Sequence, residues 1–203
     1  MKRIIGCGAL ALLVVSVFAT PACADYDWSG VYLGVNGGAV WNNSYLNSEP
    51  IYSDKASAIG GGMIGINYQI NKFILGIEGD ADVTGINVDA VCPGYPGSSC
   101  QNQQHVLGAV RGRFGVQMFD STFVYGAGGI AFSDYKFNDN IPGSASSGSG
   151  MRTGYTLGLG VDHAITEHWF LGFEFNYYDF SNSTPSNFSE TDHTLMARLG
   201  FKF

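Results

Sequence analysis

The sequence predicts an all-β protein, an eight-stranded antiparallel up-and-down transmembrane β-barrel, and three features carry that prediction. Apolar residues alternate with polar or small ones over long runs, the segments between the runs switch between very short and long, and each run collects its bulky residues on one face and its charges on the other. No window holds an apolar stripe at the helical period of 3.6 residues, so helices are not the main architecture.

The extended runs fall at about 29–41, 56–68, 73–88, 105–119, 122–137, 151–163, 169–179 and 193–203. Most exceed the usual globular strand of about 5–6 residues and reach the roughly 9–11 residues with which a tilted strand crosses a bilayer. Three connections are tight (69–72, 120–121 and 164–168) and four are long and polar (42–54, 89–104, 138–150 and 180–191). An up-and-down barrel with both termini at one rim gathers its short turns there and its long loops at the other. Outer-membrane barrels have this arrangement, with the short turns in the periplasm.

The faces distinguish a membrane barrel from a soluble one. In "WFLGFEFNY", Trp169, Leu171, Phe173, Phe175 and Tyr177 alternate with Phe170, Gly172, Glu174 and Asn176; in "KFILGIEGDADV", Phe73, Leu75, Ile77, Ala81 and Val83 alternate with Gly76, Glu78, Asp80 and Asp82. A soluble barrel needs its bulkiest residues inside, whereas a barrel in lipid puts them outside and leaves glycine and polar groups for the lumen. The same register sends Val110, Phe114, Val116 and Met118 outward against Arg111, Arg113 and Gln117, and Tyr155, Leu157, Leu159 and Val161 outward against Thr156, Gly158, Gly160 and Asp162. The run 122–137 is apolar on both faces and its register stays open.

The first residues set the compartment. Lys2 and Arg3, an apolar run from Ile4 to about Ala19, and the small-residue site Ala22-Cys23-Ala24 read as a secretory signal peptide over 1–24, leaving 25–203 as one barrel domain. Removing Lys2 and Arg3 from the chain's 10 basic residues leaves 8 against 17 acidic ones, a net charge of −9, so nucleic acid is not an expected partner. Cys92 and Cys100, separated by turn-forming residues, are expected to form a disulfide in an oxidising compartment.

The inward register collects five acids (Glu78, Asp80, Asp82, Asp162, Glu174) and four bases (Arg111, Arg113, Arg198, Lys202). Charges in a lumen too narrow for bulk water must pair or cost several kcal/mol each, so they are read as a plug; a narrow ion path is the alternative use of the same residues. The four histidines do not converge on three or four ligands, so no metal site is expected. No nucleophile and histidine stand in the spacing of a hydrolase, and the protein is not expected to be an enzyme. Gly60-x-Gly62-x-x-Gly65 is followed by strand alternation where a dinucleotide site requires a helix.

"DWSGVYLGVNGGAVW", the glycine-aromatic alternation, the short turns and the terminal "LGFKF" together resemble the small outer-membrane β-barrel proteins of Gram-negative bacteria. Within them the nearest resemblance is to the alphaproteobacterial major outer-membrane and haemin-binding-like barrels, whose architecture is that of the OmpA membrane domain. The resemblance implies an outer-membrane location, a monomer in contact with lipid, and recognition of Phe201 and Phe203 by the barrel-assembly machinery. For activity it implies a structural role in the envelope with surface interactions, a low-conductance porin, or binding of haemin or a host ligand by the loops. The rim residues suited to such a ligand are His105, His193, Tyr45, Tyr52 and Tyr95. No catalytic motif and no resident cofactor are implied.

Overall fold

The computed structural model describes residues 26–46, 49–91, 99–140, 146–180 and 188–203, with side chains described at 26–41, 56–85, 105–134, 148–180 and 191–203. These residues form eight strands: β1 (Gly30–Leu46), β2 (Glu49–Ile70), β3 (Phe73–Val91), β4 (Ser99–Met118), β5 (Thr122–Asn140), β6 (Ser146–Ala164), β7 (Trp169–Asp179) and β8 (Phe188–Lys202). Each strand runs antiparallel to the next, and β1 pairs with β8 from Tyr32↔Lys202 to Leu46↔Phe188, closing the barrel. Closure leaves no open edge at membrane depth, where lipid offers no hydrogen-bond partner to a backbone N–H or C=O.

Side-chain alternation follows the sequence pattern. On β7, Trp169, Leu171, Phe173 and Phe175 are 44%, 49%, 62% and 46% exposed, while Phe170, Glu174, Asn176 and Tyr178 between them are buried. The outward faces of β2, β3, β4 and β6 carry the same band of large apolar residues, with Phe73 and Phe114 stacked at 6.3 Å across the β3–β4 pair. The register of β5, open in the sequence, is now fixed: Val124 and Ile130 face outward, and Phe123, Tyr125, Ala127 and Ala131 fill the lumen.

Two expectations need correction. The strands run further than the apolar alternation does, so the connections shrink from 42–54, 89–104, 138–150 and 180–191 to 47–48, 92–98, 141–145 and 180–187. An antiparallel ladder is held by backbone hydrogen bonds, and outside the lipid it continues through polar residues that carry no hydrophobic signal. The lumen is also more than glycine and polar groups. A lower apolar cluster includes Trp28, Tyr32, Phe123 and Phe170, and an upper one includes Val40, Leu107, Tyr178 and Met196.

Inward glycines make room for the large rings. Tyr32 lies over its β2 partner Gly65, Tyr125 over its β6 partner Gly160, and Phe170 over its β8 partner Gly200; a Cβ at any of the three would overlap the ring opposite. The tight turns use left-handed backbone at Asn71 (φ 54°), in a two-residue hairpin, and at Phe119 (φ 50°) and Asp120 (φ 58°), in a three-residue one.

The outward assignment has a direct consequence. Leu159, 71% exposed at mid-wall, faces lipid, so Leu159→Arg is expected to cost about 2–4 kcal/mol of stability, measured by urea unfolding of the protein folded into vesicles. A cost near zero would mean that this face meets water.

Candidate functional site: a charged layer across the lumen

Between the two apolar clusters, charged side chains from five strands meet. Arg111 and Arg113 come from β4, Glu78 and Asp80 from β3, Asp162 from β6, Glu174 from β7 and Arg198 from β8. The sequence brings them together because each occupies the inward parity of its strand and lies at similar depth. Glu78 and Arg111 are direct cross-strand partners.

Each guanidinium bridges more than one carboxylate. Arg111 donates to Glu78 at 3.0 Å, Asp80 at 2.6 Å and Glu174 at 2.7 Å, and also to the Asn176 side-chain oxygen at 2.7 Å. Arg113 donates to Glu78 Oε2 at 3.2 Å, to Asp162 and to the Tyr32 hydroxyl at 2.5 Å. Arg198 reaches Glu78 and Glu174, and donates to the Tyr125 hydroxyl at 2.6 Å. All three arginines and all four carboxylates are buried. The forked, always-charged guanidinium suits this bridging, since one group satisfies acceptors on strands across the lumen.

Two tyrosines complete the layer. Tyr32 Oη accepts from Arg113 and donates to Glu78 Oε2 at 2.6 Å; Tyr125 Oη accepts from Arg198 and donates to Glu174 Oε2 at 2.7 Å. The Arg113 guanidinium also lies over the Tyr125 ring, 3.8 Å from its centroid. Asn176 donates to Glu174 Oε1 at 2.9 Å, so the amide both accepts from Arg111 and ties down its partner. The assembly is a cross-braced disc, with Arg198 Nη2 at 3.0 Å from Met63 Sδ on one edge.

Two residues assigned to this network lie elsewhere. Asp82 is buried, but its β4 partner is Leu107 rather than an arginine, and no ion pair reaches it among the described residues. Its carboxylate sits against Gly61, level with Leu107 of the upper apolar cluster. Lys202 shares the inward parity of Arg198 but lies four residues closer to the chain end, at the barrel mouth. There its Nζ donates to the Asp27 carbonyl and sits 4.5 Å from the Tyr26 ring centroid.

The two rim histidines stand apart. His105 is on β4 and His193 on β8, with three strands between them in either direction. His193 packs outward against Tyr177 and Phe175, at 5.3 and 6.0 Å between ring centroids. Tyr45, Tyr52 and Cys100 lie on strands whose side chains there are outside the described set, and Tyr95, Cys92 and the signal peptide lie outside the described residues. Phe201 and Phe203 stand on the outer face, 5.2 Å apart at their centroids, beside Trp169. Among the described residues no group of three His, Cys, Asp or Glu could hold a metal ion.

A closed eight-stranded barrel with an apolar wall and a charged core matches known proteins. Residues 10–203 match the family model described as the outer membrane protein beta-barrel domain. The chain belongs to that family. Its relatives include the 31 kDa outer-membrane immunogenic protein of Brucella melitensis, 28% identical over 94% of this chain and 91% of that protein. The 22 kDa outer membrane protein of Rhizobium leguminosarum is 29% identical over 87% of this chain and 79% of its own length. Among solved structures, Ail, the attachment invasion locus protein of Yersinia pestis, aligns with a TM-score of 0.50 at 14% identity over 85% of this chain and 99% of Ail, a likeness of fold alone. The protein is therefore an outer-membrane β-barrel protein of a Gram-negative bacterium.

In this outer-membrane barrel, sequence parity found the arginines and carboxylates, turned Asn176 inward without assigning it to the network, and missed Tyr32 and Tyr125. The available signal was the pairing of a ring with a glycine across the strand, which becomes readable only once strand register is known.

The layer predicts a steep cost for breaking it on one side. Arg198→Met leaves Glu78 and Glu174 short of a cation in a dry lumen and is expected to destabilise the barrel by about 3–5 kcal/mol in urea unfolding. Adding Glu174→Gln should recover part of that loss. A single variant as stable as the parent would show that water reaches the layer.

Proposed function

We propose that this outer-membrane protein is a sealed structural barrel, whose lumen carries no solute and whose extracellular hairpins form its contact surface. The observation that carries the reading is the charged layer: three arginines bridge carboxylates from opposite walls, and apolar clusters lie above and below it. An eight-stranded barrel is just wide enough for its own side chains to fill, and here they fill it at three successive depths. The charges hold the wall together from inside, and the outer apolar band fixes the barrel in lipid. That Brucella relatives are named outer-membrane immunogenic proteins accords with the surface part of the reading. Thr122 Oγ1 and His163 Nδ1 lie 3.0 Å apart, exposed near the β5 and β6 ends beside the short turns, and the reading assigns no catalysis.

Conductance of the refolded barrel in a planar bilayer tests the seal, measured beside the Arg111→Ala, Arg113→Ala double variant. The parent is expected to be silent, with or without leak in the variant. Reproducible small steps in the parent that change size in the variant would overturn the seal and make the lumen a narrow pore.

A further inference from the structure

Residues 26–29 precede β1 and are folded into the periplasmic mouth. Gly30, with φ 128°, a backbone conformation that side chains disfavour, turns the chain from the wall into the lumen. Trp28 is 1% exposed, packed between Phe123 of β5 and Phe170 of β7 at 5.6 and 5.7 Å between centroids, with Tyr26 edge-on at 4.8 Å.

The backbone of this segment is held by side chains from β2, β4 and β8. Gln69 Oε1 of β2 accepts from the Trp28 N–H at 2.7 Å, and the Gln69 N–H donates to Ser29 Oγ at 3.1 Å. Gln117 Nε2 of β4 donates to the Tyr26 carbonyl at 2.9 Å and to the Asp120 carbonyl at 2.6 Å, while the Tyr26 N–H donates to that same Asp120 carbonyl at 2.8 Å. The two glutamines also bond one another at 2.5 Å. Lys202 of β8 closes the ring through the Asp27 carbonyl and the Tyr26 ring. The Asp27 side chain accepts from the Ser29 N–H at 2.8 Å, and Ser29 holds its carboxyl below the usual carboxylate range.

We infer that residues 26–29 are a closure latch: the segment docks into the mouth only after β8 has paired with β1, and once docked it locks that seam. Its partners stand on β2, β4, β5, β7 and β8, at sequence separations of 40 to 175 residues for the polar contacts. No surface presents all of them until the sheet has curled and closed, so the latch cannot form early. Contacts made after the folding transition state slow unfolding and leave the folding rate almost unchanged. The inference rests on the fold alone and holds whether or not the lumen conducts.

The test uses a single-tryptophan protein. Trp41→Phe and Trp169→Phe remove the two tryptophans on the outer wall and leave Trp28 as reporter. During refolding into vesicles, shielding of Trp28 from acrylamide should develop no earlier than the folded species that resists unheated detergent gels. In the same background, Gln69→Ala with Gln117→Ala spares the tryptophan and should speed urea unfolding by roughly tenfold or more, with folding slowed less than about twofold. The latch is overturned if Trp28 is quenched as freely in the folded as in the unfolded protein, if it is shielded before the folded species appears, or if the double variant slows folding and leaves unfolding unchanged.

Discussion

A bilayer offers no hydrogen bond to a peptide group, so every strand at membrane depth needs a partner on both edges. For this chain that need is met by the pairing of β8 with β1, the contact that turns a meander into a closed wall. Closure at eight strands then dictates the rest. It fixes a bore of about side-chain width, and whatever points inward must pack against what points inward from the opposite wall. Outward positions face an environment with no such geometric demand, and they need only be apolar.

Inside that bore the chain solves two problems with three residue types. Rings fill volume where a facing glycine leaves space, as Tyr32 over Gly65 and Tyr125 over Gly160 do. Arginines then join the walls, because a guanidinium can serve carboxylates on two strands at once. The tyrosines link the two solutions: each ring packs below the layer while its hydroxyl both donates to a carboxylate and accepts from an arginine within it. Replacing such a network wholesale with apolar residues is often neutral for stability, whereas removing one member is not. The layer therefore makes one strand register far better than its neighbours, since a slip of a single residue would carry every charge on that strand to the lipid face.

Much of this was legible in the sequence because alternation and charge are local signals. The strands and their outward faces could be read from parity alone, and seven of the nine charges that parity turned inward form the layer. Parity gives the face and not the depth, which is why Lys202, four residues from Arg198, falls at the mouth, and Asp82, two from Asp80, falls opposite Leu107. The register of β5 was illegible because Phe123 and Tyr125 compete with Val124 and Ile130 as outward residues, and only the glycines on neighbouring strands decide between them. Residues 26–29 alternate aromatic and polar over only four positions, too short a run to assign a face, and their partners are scattered over the length of the chain.

The strands are unequal in length: β7 has 11 residues, while β2 has 22 and β4 has 20. At about 3.3 Å per residue, most of the wall continues well past the level at which β7 stops. What rises above the membrane is thus a curved sheet with a low side at β7, continuous with the wall beneath it. Recognition of such a crest differs from recognition of separate loops. Adjacent residues in a paired strand face opposite sides, so a binder approaching one side reads every second residue, and substitutions at the intervening positions can accumulate without altering what it meets.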